Sequence, residues 1–278
     1  MNTLNTKTPI IDIHAHVLDI FGTGKMNISF DELVAHMDWL ENTHATKAFT
    51  CVLPIEPYCK SNEVYKLSKL DARILPFYSL NFTKTDDEIV EDIKLNAHKY
   101  YGMKLHTIIQ DIDFDDARVF AAVHAFEKYV HGKPIIFHSG REDYFRDSGK
   151  VFDKTKSNPK KARLLVDNFP RTKFLMAHAG LSEPKSWHKN FVGAENVHVD
   201  TTFQGMRRIR KLVDDYSLER VHYGTDFPYN VPLHGSYKYD TTKAVLKRLA
   251  SDEYQKITCD NSLELLGITK KELFERLS

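Results

Sequence analysis

No run of apolar residues in this chain approaches the roughly 18 that a membrane span needs. Residues Met1 to Pro9 are polar and carry no apolar signal core. Cysteine is scarce: Cys51, Cys59 and Cys259 are an odd number with no Cys-x-x-Cys pair. That pattern favours reduced thiols in a cytosolic setting over a disulfide framework. Charge of one sign is also missing. Lys and Arg number 39 against 38 Asp and Glu, a net +1, with no basic tract and no acidic tail. A polyanionic partner is therefore not expected. Internal repeats, low-complexity stretches and linkers are absent too. These absences predict a cytoplasmic protein that handles a small molecule and engages neither nucleic acid nor membrane.

What is present is a core-forming composition, 42% hydrophobic and 28% charged over 278 residues. Apolar runs of strand length fall at 10–16, 47–55, 73–80, 100–106, 133–139, 172–179, 196–202 and 220–227. Several are nearly continuous in apolar residues, as parallel strands covered on both faces are. Helical patterns lie between them at 29–44, 59–70, 85–98, 114–131, 158–168, 205–216 and 238–250. Ser29 with Glu32 opens the first of these as a capping box, and Thr269 with Glu272 does so in a tail of two short helices. Eight strands with intervening helices predict a single-domain α/β fold over 1–278, a (β/α)8 TIM-like barrel. A doubly wound open sheet is the other solution, but the Gly-x-Gly-x-x-Gly turn that often marks one is missing.

Five of the strand-like runs end in residues able to bind a metal. They are Asp12-Ile13-His14-Ala15-His16, Lys104-Leu105-His106, Ile136-Phe137-His138, Met176-Ala177-His178 and Gly224-Thr225-Asp226. Imidazole and carboxylate suit a catalytic Zn²⁺ or a similar divalent ion. A barrel gathers such ligands from separate strands at its carboxyl end. An isolated His-x-His reads equally well as a polar turn; the other strand-end ligands favour the metal. His138 and His178 are each followed by small residues, Ser139-Gly140 and Ala179-Gly180, where the chain must turn out of the barrel.

Asp226 reads as a turn carboxylate or as one that touches both metal and water, where it takes the water's proton. Lys104 has three open roles: a carbamylated bridge between two metals, a cation that grips a substrate carboxylate, or an interior salt bridge. His106 reads as a pocket residue. Arg141, Arg207 and Arg208 are candidates to bind a substrate carboxylate, and Phe203, Phe227 and Tyr229 to line the pocket. The long segment from Ser139 to Pro159 reads as a lid or substrate wall. Nine other histidines, His36 among them, are assigned ordinary packing or surface roles.

With these motifs, and with Cys259-Asp260-Asn261-Ser262 leading into Leu265-Leu266-Gly267, the chain resembles the amidohydrolase superfamily, specifically its amidohydrolase-related branch (amidohydrolase 2). That branch holds hydrolases, lactonases and non-oxidative decarboxylases. The resemblance implies a distorted barrel with a divalent metal, usually zinc, one ion being favoured and a second left open by Lys104. By position it implies His14, His16, His138 and Asp226 as ligands, with His178 a ligand or the group that polarises the substrate. Dimers are the family's tendency. The expected reaction is hydrolysis of a small amide, ester or lactone by metal-activated water, with Asp226, His178 and Lys104 catalytic. The alternative is decarboxylation of an aromatic or unsaturated acid.

Overall fold

All the paired strands run parallel, so each connection must cross back over the sheet, and helices supply the crossings. The computed structural model describes residues 8–141, 149–229 and 241–278. Its strands are β1 Ile10–Ala15, β2 Ala48–Val52, β3 Ile74–Pro76, β4 Tyr78–Ser79, β5 Met103–Leu105, β6 Ile135–His138, β7 Phe174–Ala177, β8 Val197–Asp200 and β9 Val221–His222. They form two runs, β1-β2-β3 and β4 through β9 in order. Phe77 N bonds to Val52 O at 3.1 Å and Tyr78 N to Gly102 O at 2.9 Å, so β3 and β4 are two halves of one strand shared between neighbours. The ring closes where Ile13 N meets Tyr223 O and Asp226 N meets His14 O. The result is the eight-position α/β barrel.

Outer helices are α1 Phe30–His44, α2 Ser61–Leu70, α3 Asp86–Asn96, α4 Ala117–Tyr129, α5 Pro159–Asn168, α6 Pro184–Phe191, α7 Met206–Tyr216 and α8 Thr241–Arg248. The capping box at Ser29 and Glu32 is present. Helix α6 is the one that periodicity does not announce. It is short, and only Trp187 and Phe191, four apart, are buried. The tail holds three short helices rather than two, α9 Ser251–Gln255, α10 Asn261–Leu266 and α11 Lys270–Glu275, with a π-helical turn, Lys256–Asp260, after the first. Thr269 and Glu272 form the expected box.

Strand residues divide by a period of two. Ile136, Leu175 and Ala177 point into the barrel with Ile11, Ile13, Phe49, Cys51, Leu53 and Leu75, while Ile135, Phe137, Phe174 and Met176 face the helices. Cys259, Leu265, Leu266 and Leu273 of the tail pack on the interior set. Arg276 bonds to Ala72 O and Ile74 O at the start of β3, which puts the tail at the strands' amino ends. The barrel floor is therefore closed and its carboxyl end is left for function. Among the described residues, no helix is long and apolar enough to cross a membrane.

Candidate metal centre

A β-bulge aims the first two histidines. Asp12 pairs with Thr50, yet Ala15 pairs with Val52, so β1 carries one residue more than β2 across this interval. Ile11 and Ile13 already face the interior. Unbroken alternation would send His14 and His16 outward, and the extra residue turns them inward. There Asp226 Oδ1 lies 3.3 Å from His14 Nε2 and 3.3 Å from His16 Nε2. The potential ligand atoms of these three residues all fall within 4.8 Å of one another. His178 Nδ1 is 4.0 Å from Asp226 Oδ2. The His138 ring lies 5.0 Å from that of His178, and His106 stacks on His138 at 4.0 Å. Lys104 Nζ stands 3.3 Å from His14 Nε2. All these side chains are buried, and Lys104 is the only buried lysine or arginine among the described residues.

Hydrogen-bond partners assign the tautomers. His16 Nδ1 faces Leu53 O at 2.8 Å, and a carbonyl only accepts, so the proton sits on Nδ1. His14 Nδ1 faces Asp200 Oδ2 at 2.8 Å in the same sense. Both Nε2 lone pairs then converge on Asp226. His138 Nε2 gives its proton to Gly140 O at 3.0 Å, leaving a lone pair on Nδ1. Among the described residues, buried His138 Nδ1 and Asp226 Oδ2 find no hydrogen-bond partner. Burial, with the Lys104 charge adding to it, holds His14 and His16 well below the ordinary imidazole value. Burial lowers His178 likewise and takes His138 to about 3. Neutral imidazoles with free lone pairs beside a carboxylate are the form in which these groups bind a cation. The residues fit a divalent ion.

Two of the central residues sit in strained backbone. His178 has φ 63° and Asp226 φ 53°, the left-handed region, which costs non-glycine residues about 1–3 kcal/mol each. Side chains hold the turn after β7 from three directions. Asp200 Oδ1 accepts from His178 N at 2.8 Å, Gln204 Nε2 donates to His178 O at 2.9 Å, and Ser139 Oγ accepts from Gly180 N at 2.8 Å. A Cβ at Gly140 would stand 2.7 Å from Gly180 O, so only glycine lets β6's exit pass this turn. Beside Asp226, the Asp12 carboxylate accepts from Thr225 N at 2.9 Å, Thr225 Oγ1 at 2.6 Å and His14 N at 3.2 Å. His36 Nε2 of α1 lies 3.0 Å from it. His36 therefore ties α1 to the seam between β1 and β9, a role its assignment to ordinary packing missed. Asp200 and Gln204 were not anticipated either.

The structure does not bring every sequence candidate to this cluster. Arg141 pairs with Glu183 at 3.2 Å with its side chain 49% exposed. Arg207 is exposed, and Arg208 is half-buried near Asp215 and Tyr216. Phe203 stands 5.5 Å from the His178 ring and Tyr229 6.1 Å from that of His16. Phe227, expected to line the pocket, instead stacks on His36 at 4.3 Å, because the chain alternates there and Asp226 takes the inward place. From Tyr229 the rings continue outward through Phe21 and Phe152, each step about 6 Å. Lys150, two residues before Phe152, contacts Tyr58, so this part of the 139–159 segment packs against Phe21 and Tyr58. Glu142, Asp143, Tyr144 and Arg146 lie outside the described residues.

A second grouping, His14 with His178 and Asp200, also has ligand atoms within 4.8 Å of one another. Its His14 Nδ1 is committed to Asp200 as a donor, so this is support for the first group rather than a separate centre. A parallel barrel with histidines and an aspartate converging at its carboxyl end defines the class of molecule. The chain belongs to the amidohydrolase family (amidohydrolase 2), whose model matches residues 64–268. That span holds His138, His178 and Asp226; His14 and His16 precede it. No curated protein sequence matches. Among solved structures, an uncharacterized TIM-barrel protein from Bordetella bronchiseptica is similar at 15% identity with TM-score 0.69, over 93% of this chain and 98% of that one. A dihydroxybenzoic acid decarboxylase from Polaromonas with bound manganese is similar at 13% identity and TM-score 0.65, over 96% and 99%. A probable 2-pyrone-4,6-dicarboxylic acid hydrolase from Acinetobacter baumannii is similar at 14% and TM-score 0.61, over 93% and 99%.

Proposed function

We propose that the protein is a metal-dependent hydrolase of a small amide, ester or lactone. The observation that carries this is the Asp226 carboxylate. Its Oδ1 faces two histidine lone pairs, while its buried Oδ2 has no hydrogen-bond partner among the described residues. In this reading His14, His16, His138 and Asp226 hold one divalent ion, with Zn²⁺ the expected metal. When bound, the ion lowers the pKa of a water toward about 7 and polarises the scissile carbonyl. Asp226 Oδ2 accepts the water's proton and returns it to the leaving atom. His178, 4.0 Å from Oδ2, would steady the charge that develops on the substrate oxygen. Lys104 adds positive charge inside the cluster and favours a substrate with an anionic group there. Phe203 and Tyr229 keep bulk water from the centre. The three cysteines, free and buried, agree with a cytoplasmic location.

Replacing Asp226 by Asn removes the proton acceptor and one ligand charge. Turnover of any substrate found should fall by about 10²-fold or more, with the circular dichroism spectrum unchanged. A variant with near wild-type kcat would remove Asp226 from the mechanism.

A second reading is favoured by Lys104, the buried cation 3.3 Å from His14 Nε2. It fits a carboxylate held at the centre for decarboxylation of an aromatic or unsaturated acid. A similar fold carries a dihydroxybenzoic acid decarboxylase. Measuring CO₂ release across a panel of hydroxybenzoates, beside ester and lactone hydrolysis, separates the two.

A further inference from the structure

The buried carboxylate of Asp200, at the end of β8, makes contact with two different members of the centre. Its Oδ1 accepts from His178 N at 2.8 Å and from Thr202 N at 3.1 Å. Its Oδ2 faces His14 Nδ1 at 2.8 Å. On the opposite edge of the same ring, Lys104 Nζ lies 3.3 Å from His14 Nε2. The Asp200 carboxylate only accepts, so Nδ1 carries the proton and Nε2 the lone pair.

We propose that Asp200 is a positioning residue that locks His14 as the Nδ1–H tautomer and, through its other oxygen, fixes the left-handed backbone of His178. This rests on the reading that the His14, His16 and Asp226 cluster takes a divalent cation. His16 has its tautomer set by a backbone carbonyl, Leu53 O, which no side-chain substitution removes. His14 depends instead on a side chain that also steers the candidate substrate-polarising residue. Asp200 thus couples the ligand on β1 to the turn after β7. A partner carboxylate of this kind typically sets metal affinity by about 10–100-fold.

Asp200→Asn isolates the claim, because the amide keeps the shape of the acid. If its oxygen stays on the His178 and Thr202 N–H groups, its NH₂ faces His14 Nδ1. Two donors cannot meet there, so the His14 proton must move to Nε2, the atom facing Asp226. The test is nitrogen NMR on metal-free protein labelled with ¹⁵N-histidine, with His14 signals assigned by their loss in His14→Gln. The wild type should show Nδ1-protonated His14, and Asp200→Asn should show Nε2-protonated His14. Calorimetric titration with Zn²⁺ and with Mn²⁺ should show affinity weakened by about 10–100-fold in the variant. An Nε2-protonated His14 in the wild type overturns the proposal, and so does an unchanged tautomer in Asp200→Asn. Should the variant not fold, the wild-type spectrum decides. A wild type that binds neither ion counts against the metal reading, while the NMR pattern still judges Asp200.

Discussion

His36→Phe probes the seam that carries half of the centre. The histidine is buried, stacks on Phe227 at 4.3 Å and 15°, and lies 5.9 Å from Trp39. Phenylalanine keeps an aromatic ring in that stack and deletes the 3.0 Å bond to Asp12 together with a longer 3.4 Å contact to Thr225 Oγ1. A hydrogen bond to a charged group contributes about 1.5–3 kcal/mol. Asp12 would retain Thr225 N, Thr225 Oγ1 and His14 N. The penalty should therefore stay below the roughly 3–5 kcal/mol of a buried charge stripped of its partner. At about 2–4 °C per kcal/mol for a chain near this size, the unfolding midpoint of metal-free protein should fall by about 3–12 °C. Differential scanning calorimetry reads this directly. A midpoint within about 1 °C of wild type would mean that the bond holds nothing and that α1 is attached by apolar packing alone.

Gly224 offers a steric test. A Cβ there would meet Thr202 Oγ1 at 2.9 Å, His14 Cβ at 3.2 Å and Asp200 Cβ at 3.3 Å. Gly224→Ala should cost about 1–3 kcal/mol by overpacking and weaken Zn²⁺ binding, both visible in thermal melts with and without the ion. His44 gives a pH test outside the centre. Burial lowers its pKa to about 4, below the roughly 6.5 of the unfolded chain. Because the folded value is depressed, its contribution is complete above about pH 6.5 and is lost as pH falls toward about 4. Urea midpoints should drop more between about pH 7 and pH 5 in wild type than in His44→Phe, and equal drops would refute the assignment.

The barrel is legible in the chain because its strands are covered on both faces. Such strands read as unbroken apolar runs, and each chemical residue stands where a run stops, as in Pro134-Ile135-Ile136-Phe137-His138. What the chain conceals are pairings. The bulge in β1 exists only against β2, so the sequence around His14 and His16 looks like plain alternation. His36 falls on the buried stripe of α1 with Leu33, Met37 and Leu40, a visible polar intruder, yet nothing local says that Asp12 lies opposite. Asp200 closes Val197-His198-Val199-Asp200, where plain alternation places it on the polar face with His198, yet it is fully buried. Its two clients lie 186 and 22 residues away, beyond any local pattern. Helix α6 was hidden for a different reason: one apolar pair on an eight-residue helix gives too little periodicity to register.

The central claim is that His14, His16 and Asp226 form the core of one cation site. Calorimetric titration of metal-stripped protein with Zn²⁺, run beside His16→Ala, tests it most directly. The account predicts saturation at about one ion per chain in the wild type, with affinity in the variant weakened beyond the roughly 10–100-fold that loss of a mere supporting group brings. No saturable binding of Zn²⁺ or Mn²⁺, or equal affinity in wild type and variant, would contradict it.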